Sequence, residues 1–199
     1  MKTFVLFLAC SLFLYSAQAQ ISKGSILLGG SLGYGNNNTE TGSNEFRTNS
    51  YSFRPSLGFV VKENRVLGFN LLYAHSGGNS TSAYNIYGGG VFYRLYHPLG
   101  KSFYLYGQGE VNGSSSKQGD IRQNSIGLSA FPGIAYAVSK RFHLEISLNN
   151  MLNFGYTSSR TESNLTIGPP PTKTSALSFG VDANPVSNLG LGFRILLGK

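Results

Sequence analysis

The chain has 199 residues, 26 of them glycine, with one cysteine, no tryptophan and only 12% charged residues. That length is one domain's worth. Its formal charge of +8 is carried by Lys and Arg scattered along the sequence, adjacent only at Lys140-Arg141, without the basic run that a nucleic-acid partner would call for.

The first residues form an export signal. Met1-Lys2-Thr3 is a short positive start, residues 4–15 are apolar, and Ala17-Gln18-Ala19 is a small-x-small cleavage site. The pattern predicts a signal peptide over residues 1–19, cut before Gln20, and a single exported domain over residues 20–199. The apolar run falls short of the roughly 20 residues of a spanning helix. Phe7-Leu8-Ala9-Cys10 faintly resembles a lipoprotein box, but cleavage there would leave residues 11–15 as an unexplained apolar stub. The lone Cys10 leaves with the leader, and a disulfide-free export fits a bacterial envelope protein.

After the leader comes "GSILLGGSLGYGNNN", a glycine-rich run that invites comparison with a phosphate-cradling loop. Such a loop needs a strand-to-helix turn, and no helical period follows here. Instead Ile26, Leu28, Leu32 and Tyr34 share one parity, with Ser31 and Gly33 on the other. Alternation then recurs in segment after segment. Tyr51, Phe53, Pro55, Leu57, Phe59 and Val61 oppose Ser52, Arg54, Ser56 and Gly58. Leu67, Phe69, Leu71 and Tyr73 oppose Gly68 and Asn70. Phe103, Leu105 and Val111 oppose Gln108 and Glu110, and Ile126, Leu128, Ile134 and Tyr136 oppose Ser125, Ser129 and Gly133. Phe142, Leu144 and Ile146 oppose Glu145 and Ser147, and Leu189, Leu191, Phe193 and Ile195 oppose Gly190, Gly192 and Arg194. Period two sustained in this way means half-exposed antiparallel strands.

The connections alternate in length. Residues 62–64, 97–101 and 139–140 are tight turns, whereas residues 36–49, 77–82, 113–121 and 158–173 are long and polar. Short turns at one end and long loops at the other predict an all-β, antiparallel, up-and-down transmembrane β-barrel. Eight strands are expected, with residues 176–184 and 188–197 forming one final strand bent at Asn184-Pro185. Ten strands result if residues 163–173 hide a hairpin. Pro55 and Pro132 lie in strand interiors and predict bulges.

The two faces have distinct chemistry. Tyr34, Tyr51, Tyr73 and Tyr156 lie on the apolar face near the long loops, and Phe59, Phe103, Phe142 and Phe193 near the tight turns. Aromatics at both ends of an apolar band are the anchors of a membrane barrel. A soluble lipid-binding barrel with the same alternation would turn that face inward. Glycine and serine on the other parity leave room in a narrow lumen. The charges there should fill it, with Glu145 meeting Arg194 and Arg54 meeting Glu110 across the lumen.

No catalytic, cofactor-binding or metal-binding residue is assigned, and no cofactor. His75 and Ser76 are adjacent on a strand and so point to opposite faces. His97 sits in a turn, and His143 and Glu145 share a face without a nearby nucleophile in sequence. Enzymatic chemistry is therefore not expected.

The chain resembles the small Gram-negative outer-membrane barrels grouped as the "outer membrane protein beta-barrel domain" family. The resemblance is carried by "LLGGSLGYG", "YSFRPSLGFVVKENRVLGFNLLY", "YGGGVFYRLYHPLGKSFYLYGQGE", "SIGLSAFPGIAYAVSKRFHLEISL" and the closing "NLGLGFRI". It implies a place in the bacterial outer membrane, with outer-membrane lipids and the barrel assembly machinery as partners. Members usually end the last strand on an aromatic, where Ile195 stands here. A porin-like, side-chain-filled barrel with a structural or surface-interaction role is the function expected. A narrow passive pore, a membrane-embedded lipid-modifying enzyme and a soluble lipid-binding barrel are the alternatives, and the sequence names no surface ligand.

Overall fold

The computed structural model describes residues 21–41, 44–79, 83–149, 151–161, 172–181 and 189–198. The leader expected at residues 1–19, the possible hairpin at residues 163–173 save its last two, and the bend expected at Asn184-Pro185 lie outside the described residues. Every regular element among those described is a strand: β1 (Ile26–Thr41), β2 (Asn44–Lys62), β3 (Arg65–Gly78), β4 (Tyr84–Pro98), β5 (Phe103–Gln118), β6 (Ile121–Ala137), β7 (Phe142–Leu148), β8 (Leu152–Thr161), β9 (Lys173–Val181) and β10 (Leu189–Leu197).

These ten segments build a closed wall of eight strands. β1 to β6 pair consecutively and antiparallel. The lower part of β6 pairs with β7 and its upper part with β8, so β7 and β8 are two stretches of one wall strand. β10 pairs with β7 and β9 with β8, and they form the last wall strand in the same way. β1 then pairs with β10, from Ile26↔Leu197 to Leu32↔Leu191, and closes the ring.

Several long segments that read as loops are strand. β1 and β2 stay paired up to Thr41↔Asn44, and β5 and β6 up to Gln118↔Ile121, where Gly119 turns the chain at φ +57°. Their Asn- and Ser-rich sequences carry no apolar alternation. The ladder of backbone hydrogen bonds specifies them instead.

The prolines need less distortion than expected. Pro55 sits opposite Gly30, and on its other side the ladder resumes at Ser56↔Asn70 in the register it held at Phe53↔Tyr73. The missing N–H removes a bond without adding a bulge. The register shift in this hairpin falls between Val60 and Lys62, beside the turn where Asn64 takes φ 59°. Pro132 does mark an irregularity: it lies between the last β6–β8 pair, Ala130↔Leu152, and the first β6–β7 pair, Gly133↔Ser147.

Alternation sorts the side chains. Outward positions such as Leu32, Leu71, Leu177 and Phe179 are exposed, at 67%, 60%, 68% and 75%. A continuous apolar girdle on this scale needs a non-aqueous cover. Along β5 it runs from Phe103 to Val111, about 27 Å of strand at ~3.3 Å per residue and about 20 Å of height at a tilt of ~40°. That is close to the ~25 Å apolar band of a membrane barrel.

Inside, the tight-turn end is packed with apolar groups. Ile21, Leu27, Val60, Val66, Tyr104 and Leu196 are buried there. Ile21 is drawn in by a backbone hook in which Asn64 N–H donates to the Ile21 carbonyl (3.2 Å) and Gly24 N–H to that of Val60 (2.9 Å). Glycine makes space where the ring of Phe92 crosses the wall: a Cβ on Gly68 would collide with that ring and with the Leu57 carbonyl.

Candidate functional site

Above the apolar layer, inward side chains of β2, β4, β5, β7 and β10 meet in one polar network. Its centre is Arg94, on β4, whose parity sets it between inward Phe92 and Tyr96; the group is 2% exposed. Arg94 Nη1 pairs with Glu145 Oε1 at 2.7 Å, and Nε donates to Gln108 Oε1 at 2.8 Å. Nη1 also donates to the Tyr96 hydroxyl at 2.8 Å, which in turn donates to Glu145 Oε1 at 3.0 Å. The guanidinium lies 4.1 Å from the ring centroid of Tyr106 and 5.5 Å from that of Tyr96. A buried charge is tolerable only when paired and hydrogen-bonded, and Arg94 is held in this way through Nε and Nη1.

Glu145 shares its second oxygen with Arg194, whose Nε stands 3.3 Å from Oε2. Arg194 Nη1 donates to Ser56 Oγ at 2.5 Å. Glu145 lies directly opposite Gly192 and Arg194 opposite His143, so the pair is diagonal, and the Arg194 side chain lies over Gly29, where a Cβ would meet its Cδ and Nη1. On the other side Gln108 Nε2 donates to Glu110 Oε2 at 2.9 Å. Glu110 accepts from Arg54 Nη1 at 2.9 Å and from Asn112 at 3.3 Å. The chain of contacts from Ser56 to Arg54 is thus unbroken, with three arginines and two glutamates.

The structure therefore brings Glu145 to Arg194 and Arg54 to Glu110, the two pairs expected from the sequence. The sequence reading missed Arg94, which joins them. The signal was available in "GVFYRLYHP", where Val91, Tyr93 and Leu95 are outward and Arg94 must point in. The eight aromatics picked out from the sequence all stand on the outer face, seven of them exposed and Phe142 half-buried.

The histidines fall in three settings. His75 is on the outer face, stacked on Tyr51 at 5.0 Å between ring centroids, with Nδ1 2.8 Å from Asn85 Oδ1. Ser76 takes the opposite parity. His97 is exposed. His143 is 1% exposed below Glu145, stacked on Tyr104 at 5.7 Å, and neither ring nitrogen has a hydrogen-bond partner. None of the three stands as a base beside a serine nucleophile.

Over the network the lumen is hollow. A cavity of about 430 Å³ extends from Arg94 and Glu145 up to Gly35 and Ser50, lined by Ser52, Ser147, Asn149 and the glycines of β1 and β10. Among the described residues, buried side chains occupy the lower and middle levels of the lumen and the cavity lies above them.

A closed eight-stranded barrel with an apolar outer girdle and a side-chain-filled waist defines a small transmembrane β-barrel. The crystal structure of the outer membrane protein OprG from Pseudomonas aeruginosa is similar to it, with a TM-score of 0.56 and 12% sequence identity, covering 89% of this chain and 98% of that one. The crystal structure of Neisserial surface protein A matches with a TM-score of 0.44 and 17% identity, over 87% of this chain and 97% of that one. No protein-family model matches the sequence, and no curated protein does. The resemblance to small outer-membrane barrels read from the sequence is met at the level of fold.

Proposed function

We propose that the protein is an integral outer-membrane barrel of a Gram-negative bacterium whose lumen is closed by side chains. Its role is structural or at the cell surface, and it carries out no enzymatic chemistry. The observation that carries this reading is the layer of Arg94, Glu145, Arg194, Gln108 and Tyr96 spanning an eight-stranded lumen, a width that side chains can fill. The export signal and the fold likeness to OprG support the membrane assignment. In this reading the hairpins ending at Thr41↔Asn44 and Gln118↔Ile121 face outside, and the turns at residues 62–64 and 139–140 face the periplasm.

The cavity above the layer favours a second reading, a narrow pore whose waist rearranges. Planar-bilayer recording separates the two. The native barrel should be nearly silent, and Arg94→Ala should leak; a large, steady native conductance would overturn the plug. Labelling of a tag in residues 36–49 on intact cells tests the orientation, and labelling only after permeabilisation would reverse it.

A further inference from the structure

Four cations from four successive strand segments stand side by side on the wall. Lys117 of β5 pairs with Arg122 of β6, Arg122 with Arg160 of β8, and Arg160 with Lys173 of β9. Directly paired residues project from one face of a sheet. Here it is the outer face, because steps of two residues from these positions reach exposed Val111, Ile126, Tyr156 and Leu177. All four cations are exposed, and among the described residues none has an ion-pair partner.

Beneath this row the outer face is graded. The row Ile126–Tyr156–Leu177 is apolar, and the next, Ser115–Asn124–Ser158–Ser175, is polar and uncharged. The cations come next, four residues above the apolar row. That is ~13 Å along the strand and about 10 Å in height at the usual tilt, the level of headgroups. A cavity of about 220 Å³ adjoins the first two cations, lined also by Asn85, Tyr84 and Tyr87. Like charges directly opposite one another destabilise a sheet, so an unneutralised row is a standing cost that an anion at this height would remove.

We infer that this row is a binding site for a phosphorylated lipid of the outer leaflet. Lys117, Arg122, Arg160 and Lys173 hold its phosphates, and its acyl chains lie against Ile126, Tyr156 and Leu177. Guanidinium forks suit phosphate oxygens, and cations at a membrane surface gain affinity additively. The inference rests on the membrane placement of the barrel and is independent of the plug.

The test uses the full exported chain, refolded in detergent micelles and checked for heat-modifiable gel mobility. It is titrated with lipopolysaccharide, with the same glycolipid after phosphatase treatment, with inorganic phosphate and with a short duplex DNA. The intact glycolipid should bind, and K117Q/R122Q/R160Q/K173Q should weaken it by about tenfold or more. Removing the same charge at the other end, in K23Q/K62Q/K140Q/R141Q, should leave affinity within about twofold. Unchanged binding in the first variant, equal loss in both, or equal binding of the dephosphorylated glycolipid would each overturn the site. Equally tight binding of inorganic phosphate or of DNA would also overturn it, in favour of a general anion site. A native chain without heat-modifiable mobility would overturn the membrane reading itself, a failure distinct from the others.

Discussion

Glu145 is the group on which the lumen network depends, so its removal gives the sharpest test of the packing argument. The carboxylate is 4% exposed and serves two arginines at once, Arg94 at 2.7 Å and Arg194 at 3.3 Å. Glu145→Gln leaves two guanidinium groups without a counter-ion in a closed lumen, and breaking a buried pair from one side costs about 3–5 kcal/mol. Arg94→Met leaves Glu145 with Arg194 and the Tyr96 hydroxyl but removes its shorter ion pair and strands the Gln108 acceptor, for about 3 kcal/mol. Arg194→Met should cost only about 1–2 kcal/mol, because the shorter pair to Arg94 survives. In Glu145→Gln with Arg94→Met the two buried charges disappear together and only Arg194 is left without its counter-ion, so the double loss should not exceed that of Glu145→Gln alone, a coupling of about 3 kcal/mol or more. With no tryptophan in the chain, urea unfolding in lipid vesicles is followed by far-UV circular dichroism and gel mobility. A double loss equal to the sum of the singles within about 0.5 kcal/mol would show the residues to be uncoupled and refute the network.

Two further outcomes follow from which face a residue occupies. Leu71→Arg, on the outer girdle at 60% exposure, should cost about 2–4 kcal/mol near the midplane, whereas Ser147→Asn, facing the cavity, should cost less than about 1 kcal/mol; urea midpoints in vesicles check both. Gly133→Ala would push a Cβ into the ring and hydroxyl of Tyr106, the ring under Arg94. A loss of about 1–3 kcal/mol is expected, while Gly107→Ala on the same hairpin meets nothing within 4 Å and should be close to neutral.

The parts of this molecule legible in its sequence are those that alternation encodes. Period two fixed the strands and their faces from Phe103 to Val111 and from Phe142 to Leu148, and with them which charges point inward. Glu145 and Arg194 could be matched because both stand a few residues from the same end of neighbouring strands. Three things were hidden. The polar upper halves of β1, β2, β5 and β6 carry no apolar period, so nothing along the chain marks them as strand. The break between β7 and β8 shows only in the pairing of neighbouring β6, which passes from one to the other around Pro132. The row Lys117–Arg122–Arg160–Lys173 is invisible along the chain, where its members look isolated, and arises only when four strands align.

The seam between β1 and β10 has a kinetic meaning. Pairing around the rest of the wall runs in sequence order, while Ile26↔Leu197 joins positions from the two ends of the wall. Closing so long a loop forfeits chain entropy that local hairpins do not, and contacts of great sequence separation form slowly. Ring closure is then the late step of folding. The hook that carries Ile21 into the tight-turn end precedes β1 directly and packs in the cluster that includes Leu196, so it can settle only as the seam zips. Until then the folding intermediate is an open sheet with two unpaired edges, and its lifetime sets the interval in which the chain is exposed to mispairing with another copy of itself.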